Sequence, residues 1–220
     1  QRARNLAQFL TYCVGRERFP AIWQPPLSLK DHIGRKPASA DAGGSDPISD
    51  QEILNLIESF PGDEPGRRWA DAIRLLAELG LRPVELLFLS VRTDPTTGQG
   101  YWWCSYQKRA GGGVTKPRRL WPLPLVDSDG SIQEWHLMQR WQAGLLRLPE
   151  LTEDTRVALR VNQYLRRRPT WLSIVASAEA RGEKVTSYSF RHSFSVRGHQ
   201  RGIDSGSMAL AMGHSLEVHC

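Results

Sequence analysis

The chain has 220 residues, 29 Lys+Arg against 23 Asp+Glu, and a formal net charge of +6. With 40% hydrophobic and 24% charged residues it has the balance of a folded domain and not of a disordered tail. No run of about 18 uninterrupted apolar residues occurs, which excludes a membrane-spanning helix. Cys13, Cys104 and Cys220 are scattered and lack a CxxC spacing, which argues against a disulfide framework or a zinc site and for a reducing compartment. The chain begins at Gln1 and stops at Cys220 without a helix stop signal, so both ends read as cut.

In chain order, Leu6, Phe9, Leu10 and Cys13 recur at helical spacing, and Pro20, Pro25 and Pro26 end that helix. Residues 1–29 are expected to be the end of a truncated helical domain. Residues 30–47, poor in large apolar side chains and rich in breakers, are expected to form a linker. A new domain is expected over 48–220. It opens on Ser49 and Glu52, a capping box, followed by Ile53, Leu56, Ile57 and Phe60 on one face. A second helix is predicted over 67–79, with Trp69, Ile73 and Leu76 inward and Gly80 as its stop. Arg82 follows in the turn, and Pro83 opens a short third helix carrying Glu85, Leu86 and Leu89.

The pattern then becomes β-prone. Residues 101–107 and 118–123 read as two strands around a glycine-rich tip that carries Lys108 and Lys116, and residues 91–94 as a third, short strand. Ser131 and Glu134 suggest another capping box, ahead of a face formed by Trp135, Met138, Trp141 and Leu145. Further helices are predicted near 153–167, 170–180, 187–200 and 205–212. The fold class is therefore α+β, mostly α, helical with one small antiparallel sheet. Most of the tryptophans fall on apolar helix faces or in the strand, which favours core packing over base stacking. The basic residues cluster at Lys108, Arg109, Lys116, Arg118 and Arg119, and again at Arg156, Arg160, Arg166, Arg167 and Arg168. Such clusters are the footprint of a nucleic-acid partner, or a solvated charged face.

Three short segments carry a resemblance. Gly80-Leu-Arg82-Pro-Val-Glu85, Tyr188-Ser-Phe-Arg191-His192-Ser-Phe194 and Met212-Gly213-His214-Ser215-Leu216 resemble, in order and spacing, the signatures of the tyrosine recombinases, or phage integrases. His214 follows Arg191 by 23 residues, room for a helix, a turn and a second helix. The lysine-bearing hairpin lies between the first and second segments, where that family keeps a catalytic lysine. The resemblance covers about residues 48–220 and implies the recombinase catalytic-domain fold, with residues 1–29 closing a core-binding domain. It implies site-specific DNA breakage and rejoining through a 3′-phosphotyrosine intermediate, with no metal and no cofactor.

The chemistry fits the residue types. A phosphodiester under in-line attack gains negative charge on its non-bridging oxygens, and arginines are always charged and fork onto two oxygens. Arg82 and Arg191 are the candidates. Lys108, or its rival Lys116 across the turn, would protonate the leaving oxygen. His214 would hydrogen-bond the phosphate or shuttle a proton. Tyr188 stands where the family usually has histidine, and a phenol is a poor base at neutral pH. His192 faces a different side of its helix from Arg191. Arg109, Lys116, Arg118, Arg166, Arg167 and Arg168 are expected to contact the DNA backbone, supplying affinity and salt sensitivity but no sequence choice.

The family's nucleophilic tyrosine lies about two and a half helical turns beyond the position of His214. None of Tyr12, Tyr101, Tyr106, Tyr164 and Tyr188 lies there. The 220-residue chain is thus expected to bind double-stranded DNA without cleaving it, as a monomer with no membrane association. The full-length enzyme is expected to be a tetramer on DNA, in the cytoplasm of a bacterial or phage-infected cell and associated with the nucleoid. The alternative is a catalytically inactive, recombinase-like DNA-binding regulator, and the reading frame beyond Cys220 discriminates the two. A generic helical DNA-binding protein would leave Arg82, Arg191 and His214 scattered in space.

Overall fold

The structure is a computed structural model that describes residues 2–29, 44–107, 109–110, 113–152, 156–214 and 216. It divides into two units, residues 1–43 and 44–220. In the first, α1 (Arg2–Arg16) is followed by a 3-10 turn, Ala21–Trp23. Arg18, with φ 57°, takes the left-handed turn between them, and the amide of Phe19 bonds back to the carbonyl of Cys13.

In the second unit, residues 44–47 do not behave as a linker. The Asp46 amide donates to the Lys184 carbonyl (2.8 Å), and the Lys184 amide donates to the Asp46 carboxylate (2.7 Å). Small polar residues lower the count of apolar contacts but leave the backbone free to pair, which composition does not reveal. Helix α2 (Asp50–Glu58) starts on the expected box: the Ser49 hydroxyl accepts from the Glu52 amide, and Glu52 accepts from the Ser49 amide at 2.8 Å. Helix α3 (Glu64–Leu79) begins three residues earlier than its apolar spacing predicts. Asp63 caps it by accepting from the Gly66 amide (2.7 Å), and Pro65 fits its first turn.

Helix α3 is the centre of the core. Ala72, Ile73, Leu75, Leu76 and Ala77 are fully buried around its circumference. It ends at Gly80, whose φ of 61° is left-handed. A Cβ there would also strike the Phe194 ring, so glycine is required twice over. A 3-10 helix, Pro83–Phe88, follows the turn and runs directly into β1 (Leu89–Thr93).

Strand β2 (Gly100–Cys104) pairs antiparallel with β1 on one side and with β5 (Arg118–Leu120) on the other, giving the order β1-β2-β5. The alternation of side chains puts Trp102 and Cys104 into the core, while Trp103 faces the other way. There Arg92 lies over the Trp103 ring, and Arg119 lies over Tyr101 and the exposed Trp121. Strand β5 stops at Leu120, because Pro122 has no amide to continue the ladder. Beyond β2, β3 (Arg109–Ala110) and β4 (Gly113–Val114) form a separate two-stranded ladder near the tip.

One expected helix start is wrong. Residues 131–134 do not cap a helix. The Ser131 amide is taken by the carboxylates of Asp127 and Asp129, and Ile132 bridges to Val126. Local aspartate turn chemistry outcompetes the capping box. Helix α4 starts only at Leu137 and ends at Gln142, after His136 in a left-handed conformation. Trp135, Met138 and Trp141 still pack on the core, but Leu145 is exposed. Helices α5 (Val157–Leu165), α6 (Pro169–Ala180), α7 (Ser189–Gln200) and α8 (Ser205–Met212) complete the unit. The fold is mostly helical with a small antiparallel sheet. No helix among the described residues is long and apolar enough to cross a membrane.

Candidate phosphate-binding site

The C-terminus of α3 delivers Arg82, the buried face of α7 delivers Arg191, and the left-handed stop of α8 at Gly213 delivers His214. These three places meet. Arg82 donates to the Gly213 carbonyl (3.2 Å), and Arg191 donates to the carbonyls of Gly80 (2.6 Å) and Met212. His214 is half-buried and follows the two carbonyls that the arginines hold.

The hub is Glu85, which is fully buried. Arg82 closes on it twice, through its amide (2.9 Å) and its guanidinium (2.8 Å). Arg191 stands 3.8 Å from it. Arg118 grips both carboxylate oxygens at 3.0 Å. Burial alone would push the Glu85 carboxyl up. The hydrogen bonds and charge of Arg118, then the charges of Arg191 and Arg82, outweigh burial and hold it below the usual range.

Among the described residues, three guanidinium charges therefore face one carboxylate, an excess of two. The remaining partners are carbonyl oxygens, which satisfy donors without cancelling charge. Arg191 records the imbalance. Burial first and repulsion from Arg82 next, with Arg118 adding to it and only Glu85 and Tyr188 opposing, bring its pKa down to about 9. Burial supplies the largest part of this shift, and repulsion from the neighbouring guanidinium groups adds to it.

The other expected site residues are placed as follows. Tyr188 is the N-cap of α7, 40% exposed, one turn before Arg191. His192 lies against Gly44, and burial, then the Arg191 charge, depress its pKa. Lys108 lies outside the described residues. Arg109 starts β3, Lys116 is exposed, and Arg166 and Arg167 are exposed at the end of α5. Arg168 is half-buried, with its guanidinium over the Tyr164 ring.

Arg118 requires a correction. It is 9% exposed, with both terminal nitrogens on the Glu85 carboxylate and its Nε on the Ala211 carbonyl (2.8 Å), so its charge, unlike that of Arg191 whose terminal nitrogens hydrogen-bond only to carbonyls, is already met by a bidentate anion. Sequence reading counted it with the surface cations because it stands beside Lys116 and Arg119. Its place in the strand register, opposite the core-facing Cys104, is the signal that it points inward.

No protein-family model matches the chain, and no curated protein matches it. Among solved structures it is similar to the integrase of the Tn1549 transposon in complex with circular intermediate DNA: 17% identity, 99% of this chain, 72% of that one, TM-score 0.46. It is similar to the XerA recombinase (15% identity, 99% and 76% coverage, TM-score 0.46) and to the XerH site-specific recombinase bound to its difH substrate (17%, 99% and 65%, TM-score 0.48).

Proposed function

We propose that this chain is the DNA-binding catalytic domain of a site-specific recombinase that breaks and rejoins DNA through a 3′-phosphotyrosine intermediate. The observation that carries the reading is the two-charge excess at Arg82, Arg191 and Arg118 around Glu85, beside the Gly213–His214 turn. A phosphodiester supplies the missing anion. Arg82 and Arg191 take its non-bridging oxygens and stabilise the charge that grows there in the transition state. His214 donates to the same phosphate, and Tyr188 contributes a phenol hydrogen bond where a histidine would offer a base. Lys108, with Lys116 as the rival, protonates the leaving 5′ oxygen from the hairpin. Lys116, Arg109, Arg166, Arg167 and Arg168 hold the backbone of double-stranded DNA.

On this reading the 220-residue polypeptide holds duplex DNA as a monomer and leaves it intact. The whole recombinase acts as a tetramer. The test uses a nicked suicide duplex, which traps a covalent protein–DNA adduct when a tyrosine attacks. The reading expects retention of the duplex without an adduct, and at least tenfold weaker retention for Arg82→Ala/Arg191→Ala, roughly the loss of two charge-assisted contacts. An adduct would show that a tyrosine within these residues attacks. Unchanged retention in the double variant would remove the phosphate site.

A further inference from the structure

Arg118 is the third arginine of the cluster, and the reaction gives it no phosphate to hold. Its geometry is nonetheless the most constrained of the three. Its fork meets both oxygens of Glu85, its Nε holds the Ala211 carbonyl, and Gly213 packs on its face so closely that a Cβ there would come within 2.8 Å of the guanidinium. It sits in β5, the return strand of the hairpin, and so joins the root of that hairpin to the Arg82 turn and to the end of α8.

A bidentate arginine–carboxylate pair is the strongest form of ion pair available to Glu85. We propose that Arg118 is a positioning residue that occupies Glu85, so that Glu85 orients Arg82 and Arg191 without neutralising them. Without Arg118, the same carboxylate would serve two arginines instead of three. The excess charge would fall from two to one, and Arg82 and Arg191 would be drawn onto Glu85 and away from an incoming anion. The role rests on the phosphate-site reading above. It differs from simple structural support, because it acts through the charge of Glu85 and disappears when that charge does.

The experiment measures binding of inorganic phosphate by calorimetry and by ³¹P NMR, across pH, for the parent chain, Arg118→Gln, Glu85→Gln/Arg118→Gln and Arg118→Lys. Arg118→Gln is expected to weaken phosphate by about tenfold, the scale of a charge-assisted contact. Its alkaline limit of binding should also move upward, because Arg191 loses one repulsive neighbour and gains a larger share of Glu85. The double variant, with its excess of two restored, is expected to bind within about threefold of the parent. Arg118→Lys keeps the cation beside Glu85 and is expected to fall between parent and Arg118→Gln.

A double variant no better than Arg118→Gln, or an Arg118→Gln that loses thermal stability but binds phosphate as the parent does, would overturn the proposal. If Arg118→Gln does not fold, the double variant decides, since neither of its altered positions carries a buried charge. Parent-like binding then supports the role, and loss of binding overturns it. A parent chain that binds no phosphate would instead overturn the phosphate-site reading itself.

Discussion

Helix α7 buries two arginines six residues apart, Arg191 and Arg197, and holds them in opposite ways. Arg197 is satisfied by protein alone. Its Nε and one terminal nitrogen close on the Asp50 carboxylate (2.8–3.0 Å), and the other nitrogen donates to the carbonyls of Ala77 and Leu123. Its charge has its own counter-charge and its donors have acceptors. Arg191 is equally buried, at 5% against 4%, but shares one carboxylate with two other arginines and otherwise meets only carbonyls. Burial therefore does not distinguish an arginine with its own counter-charge from one that shares a carboxylate. The balance of formal charge within reach does.

The largest effect expected from this contrast is on stability. Arg197→Met strands Asp50 and two backbone carbonyls and should cost about 3–5 kcal/mol, the range for breaking a buried pair by removing one partner. Arg191→Met also strands two carbonyls, those of Gly80 and Met212, but it removes an under-compensated cation and leaves Glu85 with two arginines, so its cost should be smaller, about 1–3 kcal/mol. Urea denaturation of both variants measures this, and equal costs would break the distinction.

Next in size is Glu78, buried near Arg197, whose carboxyl is pushed up from 4.5 to about 7 by burial, with the Arg197 charge opposing. The native state thus favours the protonated form. Stability from this group is intact below pH 4.5 and is lost as pH rises through about 7. The loss is on the order of 3 kcal/mol by proton linkage. Glu78→Gln should be more stable than the parent at pH 8 and equal to it at pH 4.5. Parallel pH profiles for the two chains would contradict the assignment.

A third effect is on binding. On the proposed reading phosphate meets the charged form of Arg191, whose pKa is about 9. Phosphate affinity should therefore fall above pH 9 by up to about tenfold per pH unit. Arg191→Lys keeps a cation but not the fork, and should bind weakly throughout. A flat profile to pH 10.5 would place the binding charge elsewhere.

The smallest effect concerns a third kind of arginine, the exposed pair Arg166 and Arg167. Replacing both with glutamine should leave stability within about 0.5 kcal/mol and lower the slope of log affinity against log salt by up to about two for duplex DNA. An unchanged slope would return them to the solvated surface.

The three classes of arginine were unequally legible in the sequence. The helices and the sheet could be read where a local signal specifies them: the Ser49–Glu52 box, the Gly80 stop, and the alternation of Trp102 and Trp103 across their strand, whose inward member, Trp102, only the fold identifies. Arg82, Arg191 and His214 could be singled out because short motifs carry their spacing, and the folded chain brings their backbones together. Reading failed where a competing local partner, or a partner distant in the chain, decides. At Ser131 and Glu134 a correct capping pattern lost to Asp127 and Asp129, which claim the Ser131 amide first. Arg118 looked like one more hairpin cation, because nothing near it in the chain announces Glu85, 33 residues earlier. Arg197 gave no signal at all, since its carboxylate partner Asp50 lies 147 residues away.

The most direct measurement is an NMR titration of the arginine Nε–H signals with inorganic phosphate at pH 7. The account predicts that the signals of Arg82 and Arg191 shift together along one saturating curve while that of Arg197 stays fixed. No saturable shift at Arg82 and Arg191, or an equal shift at Arg197, would contradict it.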